Sequence, residues 1–220
     1  MTSALRISLG NARRSVRAFP DHAGLSAKGR TKRSAMRRLG YRHVFGIGGP
    51  KTGTSSLARA FELLGFRHKG WDPALWELFE RGELEPIFAV AARFESFDDG
   101  PWNGGHFYRL LDERFPGSKF VLTVRDPDEW SGSHERHFSD RGLRRIPERY
   151  WIEGYDARRD EILAEHLARN QAVIDHFSGR PDSLLVLDVA GGEGWEQLTP
   201  FLGLPAPEVP FPHVNASVLR

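Results

Sequence analysis

The chain has 220 residues, of which 40% are hydrophobic and 27% charged, with 15 Phe and 6 Trp; this excludes a wholly disordered chain and suits one full-sized core. Cysteine is absent, which excludes a disulfide framework, a thiolate zinc site and a cysteine nucleophile, and no apolar run nears the ~20 residues of a membrane span. The net charge of +2 excludes neither sign of partner, because it is unevenly spread.

Residues 1–40 hold ten Lys or Arg against one acid, Asp21, while 41–220 hold 21 basic and 28 acidic residues, a net of −7. The leader has Phe19 as its sole aromatic and no apolar stretch of signal-peptide length, so nucleic-acid binding is disfavoured and secretion is not indicated. Its Arg-rich, acid-poor composition is that of a transit peptide; the expectation is a disordered leader, or upstream sequence ahead of a start at Met36. The remainder, 41–220, is expected to be one cytoplasmic domain.

From Tyr41 the texture changes to alternating strand and helix signals. Val44 to Ile47 reads as a strand, followed by Gly48-Gly49-Pro50-Lys51-Thr52-Gly53-Thr54. A helix should begin near Thr54, with Leu57, Phe61 and Leu64 at helical spacing and Gly65 at the stop. Pro73 to Arg81 and Pro86 to Ala92 read as short helices opened by proline. Arg93 to Asp98 reads as a strand ended by Asp99-Gly100-Pro101, and Gly105 to Phe115 as a helix. Lys119 to Val124 is the clearest strand, and Asp126-Pro127 opens another helix. Ala157 to Phe177 is predicted as a long helix burying Ile162, Leu163, Leu167, Ile174 and Phe177. Ser183 to Asp188 reads as a buried strand and Trp195 to Leu202 as the last helix. Strands separated by helices predict a central parallel sheet in a three-layer α/β/α sandwich. Ligands in such sheets sit at the carboxyl ends of the strands, so the loops after Ile47, Asp98 and Val124 should meet.

Glycines in the first of these loops let successive N–H groups point inward, and the helix start adds positive potential; both suit a tetrahedral anion. The dinucleotide pattern G-x-G-x-x-G from Gly46 fails at Lys51, and the nucleotide pattern G-x-x-x-x-G-K-[ST] from Gly48 fails at Thr54. The cation stands inside the loop instead, at Lys51.

Pro50-Lys51-Thr52-Gly53-Thr54-Ser55 resembles the phosphosulfate loop of the sulfotransferase family. Arg125-Asp126-Pro127 at the end of a later strand, with Ser133 eight residues after Arg125, is similar to the family's second signature. Phe97 to Trp102, Gly194 to Gly203 and Phe211 to Asn215 look like a bacterial-type subgroup of small sulfotransferases. The resemblance spans about 41–215 and implies a fold like that of P-loop nucleoside triphosphate hydrolases. It also implies 3′-phosphoadenosine 5′-phosphosulfate (PAPS) as sulfuryl donor without a metal, and a small-molecule or glycan acceptor bearing a hydroxyl or amine. By the same resemblance, Pro50 to Ser55 bind the donor, Lys51 acts on the transferring group, and Arg125 and Ser133 bind the 3′-phosphate.

An acceptor hydroxyl must lose a proton as it attacks. Cytosolic relatives place a histidine after the second strand, but this chain carries Asp98-Asp99-Gly100-Pro101 there, which makes Asp99 the expected base or, alternatively, a turn residue. His68 and His106 are weaker candidates, and Asp72 reads as a helix cap. Ser56 stands where cytosolic relatives carry an adenine-holding Trp, and Gly191 to Gly194 reads as a flexible connector. Trp71, Trp76, Trp102, Phe94 and Phe97 are candidates to line an acceptor pocket, and His134 and His137 read as surface residues. The rival readings are a P-loop small-molecule kinase, disfavoured by Thr54 and by Arg125 where a magnesium ligand would stand, and a non-catalytic nucleotide-binding module. The acceptor itself and the oligomeric state are not encoded legibly.

Overall fold

The computed structural model describes residues 40–139 and 147–214. The expectations for the basic leader up to residue 39, for Met36 and for Asn215 lie outside the described residues.

Five strands form one parallel sheet. They are β1 (Val44–Gly46), β2 (His68–Lys69), β3 (Ser96–Phe97), β4 (Lys119–Thr123) and β5 (Leu184–Leu187), in the order β2-β3-β1-β4-β5. The register places Phe45 beside both Phe97 and Phe120. Side chains in register share a face, and the three rings stack at 4.8 and 5.4 Å.

That phenylalanine row meets α2 (Pro73–Glu80), α3 (Leu84–Ala91), α4 (Phe107–Arg114) and α6 (Tyr155–Phe177) through Leu75, Ile87, Leu111, Val173 and Phe177. Each fully buried Phe contributes about 1.5–3 kcal/mol. The opposite face presents Val44, Val121 and Leu187 to α1 (Thr54–Leu63) and α7 (Trp195–Leu202), through Leu57, Phe61, Leu198 and Leu202. The result is the expected three-layer α/β/α sandwich. α5 (Pro127–Phe138) packs on the start of α6 through Trp130, Tyr155 and Ile162. No helix among the described residues is long and apolar enough to cross a membrane.

The helix starts follow their capping residues. Asp72 accepts from the amides of Ala74 and Leu75 ahead of Pro73, and Asp126 accepts from those of Asp128 and Glu129 ahead of Pro127. α3 begins two residues before Pro86, because a proline anywhere in the first turn removes no intrahelical hydrogen bond. β3 is shorter than predicted: the amides of Arg93 and Phe94 turn back to the carbonyls of Val90 and Ala91, so the chain is still leaving α3. β5 lies at the sheet edge with Val186 40% exposed, where a buried strand was predicted.

The long helix is rotated from its expected orientation. Ile162, His166, Asn170, Val173 and Phe177 face inward, while Leu167 and Ile174 are exposed. An apolar stripe read off the sequence would bury every leucine. The structure instead turns two polar residues inward, His166 beside Gly49 of the loop after β1 and Asn170 bonded to His166 at 3.2 Å.

Candidate active site

β1 is central in the sheet, and the chain leaves it for β2 on one side and returns through β4 on the other. The crevice at such a reversal is where open α/β sheets bind ligands. The loop leaving β1 is held from behind by its own carbonyls. Arg169 donates to the Ile47 carbonyl at 2.8 Å, Asn103 to Gly48 at 3.1 Å, Thr52 to Gly49 at 2.6 Å and Trp130 to Pro50 at 2.9 Å. Four successive carbonyls are thus tied to side chains of the protein. The glycines matter at two points. A Cβ at Gly48 would lie 2.7 Å from the Thr123 carbonyl oxygen, and Gly53 has φ 102 with Val189 Cβ only 2.8 Å from where its own would be. Lys51 is itself left-handed at φ 68, a conformation that costs a non-glycine residue about 1–2 kcal/mol and draws attention to the site.

Beyond this loop lies a cleft of about 470 Å³, an ordinary size for a small-molecule site. Pro50, Lys51, Gly53, Thr54 and Ser55 line one side of it. Arg125 at the end of β4 and Glu129, Ser133 and His137 on α5 line another. The four-residue spacing from Glu129 to His137 puts those side chains on one helical face, which is why a serine eight residues after Arg125 reaches the same cleft. Asp99, Val189, Ala190, His213 and Val214 complete the wall.

The cleft therefore gathers every residue singled out as donor-binding or catalytic except one. Thr52 is fully buried, and its hydroxyl lies 2.6 Å from that of Thr123. Its side chain braces the loop and does not face the cleft. Ser56 is also buried but borders the cleft, and its hydroxyl accepts from the Val214 amide at 3.0 Å. The C-terminal segment is thereby pinned across the start of α1.

Asp99 is a left-handed residue at φ 58 whose carboxylate accepts from the Gly100 amide at 2.8 Å. Burial, with the neighbouring Asp98 charge adding to it, pushes its pKa up to about 6. A carboxylate with such a pKa can take up a proton near neutrality, and Asp99 both lines the cleft and forms the turn ahead of Gly100. His68 lies within β2, a short strand ahead of the Arg93 to Asp98 segment, so the strand that Asp99 follows is the third in chain order and not the second. The His68 Nε2 pairs with Asp98 at 2.9 Å and its Nδ1 with the Ser96 hydroxyl at 3.0 Å, in a buried cluster outside the cleft lining. His106 is exposed beside Tyr108. Asp72 caps α2 and also accepts from Lys69 at 2.7 Å.

His134, expected at the surface, is buried against Trp130 and bonded to the Tyr155 hydroxyl at 2.8 Å. Burial, with His166, His137 and Lys51 nearby, lowers its pKa to about 3. His166 stacks on Trp130 with ring centres 3.8 Å apart, and burial, then the Arg169 charge, lowers its pKa to about 4. Both are neutral imidazoles behind the loop. Among the acceptor-pocket candidates, Phe97 and Trp102 are wholly buried core residues, whereas Trp71 is exposed and packs on Trp76 and Tyr150 beside Gly100. The glycine run after β5 is locked: the Gly191 amide donates to Asp188 at 2.8 Å and the Asp188 amide to Glu193 at 2.6 Å. Among the described residues no group of three His, Asp or Glu is placed to hold a metal ion.

Sequence reasoning missed Glu129, His137, His166 and Arg169. Continuing the four-residue stripe from Arg125 would have found the first two. No local signal marks the latter pair, whose importance comes from which way α6 faces.

In comparison with known families, the profile described as the sulfotransferase domain matches residues 43–151 and 140–218. No curated protein matches the chain.

Proposed function

Since the chain belongs to the sulfotransferase domain family, we propose that it transfers a sulfuryl group from PAPS to a hydroxyl or amine of a small-molecule or glycan acceptor. The observation that carries this reading is the convergence of Lys51, Thr54, Ser55, Asp99, Arg125 and Ser133 on one cleft. Two clusters of anion-binding groups, one on the loop after β1 and one on α5, match a donor with phosphates at both ends of its ribose.

In-line displacement at sulfur builds charge on the bridging oxygen of the leaving phosphate. Lys51 supplies a mobile charge there, and Thr54, Ser55 and the loop amides supply directed donors already held in place, which favours the transition state over the ground state. Arg125 grips the 3′-phosphate through its guanidinium fork, and Ser133 adds a neutral hydrogen bond. Asp99 takes the acceptor proton as its oxygen or nitrogen attacks, and the S–O bond to the nucleotide breaks as the new bond forms.

A thermal-shift panel tests the reading. Adenosine 3′,5′-bisphosphate should stabilise the protein by about 2.7 kcal/mol at a hundredfold excess over Kd. Stabilisation by ATP with magnesium and none by the bisphosphate would replace this reading with the kinase one.

A further inference from the structure

Arg169 is the least expected charge in the molecule. It projects from the inward face of α6 and donates from Nη2 to the carbonyls of Ile47 at 2.8 Å and Asn103 at 2.9 Å, and from Nε to that of Gly105 at 3.1 Å. Its Nη1 is buried without a hydrogen-bond partner. No carboxylate among the described residues pairs with it; every group to which it donates a hydrogen bond is a neutral carbonyl.

Two consequences follow from that placement. The guanidinium joins the end of β1 to the loop after β3. Asn103 carries the link further, because its side chain donates to the Gly48 carbonyl and its amide donates to the Asp99 carbonyl at 3.0 Å. One side chain thus holds the anion loop and the Asp99 turn in a common frame. In addition, a partly buried cation with no paired carboxylate among the described residues is costly to the empty protein, and an anion held by the loop that it braces offsets part of that cost. With the Ile47 carbonyl turned toward the guanidinium and the Gly48 carbonyl toward the Asn103 side chain, the loop's carbonyls point away from the cleft, an arrangement that suits amides facing an anion.

We propose that Arg169 is a positioning residue of the anion loop: its fork sets the orientation of the loop, and its unneutralised charge raises the loop's affinity for phosphate-type anions. The proposal rests on the donor reading above only for the identity of the ligand, since any phosphate ester on this loop would feel the same charge.

Two variants separate fork from charge. Arg169→Met removes both while keeping an apolar stem, and Arg169→Lys keeps the charge without the fork. Calorimetric Kd values for adenosine 3′,5′-bisphosphate and for inorganic pyrophosphate are measured with each, alongside thermal melting. Arg169→Met should bind both anions at least tenfold more weakly, and Arg169→Lys should recover part of that loss, at least threefold relative to Met. A residue that only stabilises the fold would change melting without this charge-dependent rescue. A folded Arg169→Met with wild-type Kd values overturns the proposal, as does an Arg169→Lys that binds no better than Met. If Met fails to fold, Arg169→Lys alone decides: a Kd equal to wild type removes the fork from loop positioning. Wild-type protein that binds pyrophosphate with this Arg169 dependence, but not the bisphosphate, refutes the PAPS reading and leaves this one standing. Wild-type protein that binds neither anion overturns both.

Discussion

Arg125 donates from Nε and Nη2 to the same carboxylate oxygen of Glu129, one helical turn away, at 3.1 and 3.0 Å. The guanidinium offered to the cleft is therefore already engaged by an anion. Glu129 is 60% exposed, and pairs of this kind contribute about 0.2–1 kcal/mol. An incoming phosphate must compete with that carboxylate and then lie beside its charge. Glu129→Gln should accordingly bind adenosine 3′,5′-bisphosphate about two- to fivefold more tightly, with the gain shrinking as salt is raised. Weaker binding in calorimetry would mean that Glu129 orients Arg125 toward the ligand instead of competing for it.

Thr52 is placed by the fold as a brace. Thr52→Val keeps the shape but leaves the Gly49 carbonyl and the Thr123 hydroxyl without their partner. Burying such groups unsatisfied costs about 1–3 kcal/mol, a lowering of the melting temperature by roughly 2–4 °C per kcal/mol in a chain of this size. Thr52→Ser should melt close to wild type. Equal melting of Val and wild type would show that the hydroxyl pair adds nothing.

As the proposed base, Asp99 sets the expected pH dependence of the reaction. With its pKa at about 6, kcat/KM should climb with pH to about 6 and then level. Asp99→Asn should lower kcat by ~10²–10⁴-fold, the range for loss of a general base, while bisphosphate binding persists. The stability effect has the opposite sign. In the unfolded chain the carboxyl ionises near 3.8, so the folded state is penalised increasingly as pH rises from about 4 to 6, by up to about 3 kcal/mol. Asparagine tolerates the left-handed backbone and keeps an oxygen for the Gly100 amide. Chemical denaturation should therefore find Asp99→Asn no more stable than wild type at pH 4 and more stable at pH 7. Unchanged kcat would free the base role for another residue.

His166 acts in the reverse direction. Its folded pKa of about 4 lies below that of a free histidine, so the stability that it contributes is complete above about pH 6.5 and is lost as pH falls toward 4. The loss amounts to about 3 kcal/mol at most. His166→Gln should flatten the stability profile across that window. A variant that loses stability between pH 6.5 and 4 as steeply as wild type would show that its protonation is not what weakens the protein in acid.

The fold and the anion loop were legible because their signals are local. Val44 to Gly46 and Lys119 to Thr123 are short apolar runs, and Asp72-Pro73 and Asp126-Pro127 are cap signals. The spacing from Arg125 to Ser133 is also a local property of one helix. What remained hidden depends on rotation and distance. Leu167 and Ile174 looked like core until α6 turned His166 and Asn170 inward, and Arg169 reaches Ile47 across 122 positions of chain. Trp102 and Phe97 carried the composition of a binding pocket, but Phe97 is part of the phenylalanine row and Trp102 packs against it with ring centres 4.4 Å apart. His134 could not be separated from a surface histidine without Tyr155, 21 residues away, at its Nδ1.

The central claim is that one cleft binds a nucleotide phosphorylated at both ends of its ribose, with Arg125 on the 3′-phosphate. Calorimetry with wild type and Arg125→Ala, each against adenosine 3′,5′-bisphosphate and adenosine 5′-phosphate, tests it most directly because it needs no acceptor. The account predicts that Arg125→Ala weakens the bisphosphate by about 10–150-fold, the equivalent of about 1.5–3 kcal/mol for a charged hydrogen bond, and leaves the monophosphate unchanged. An equal loss for both nucleotides, or a wild-type protein that does not distinguish them, would contradict it.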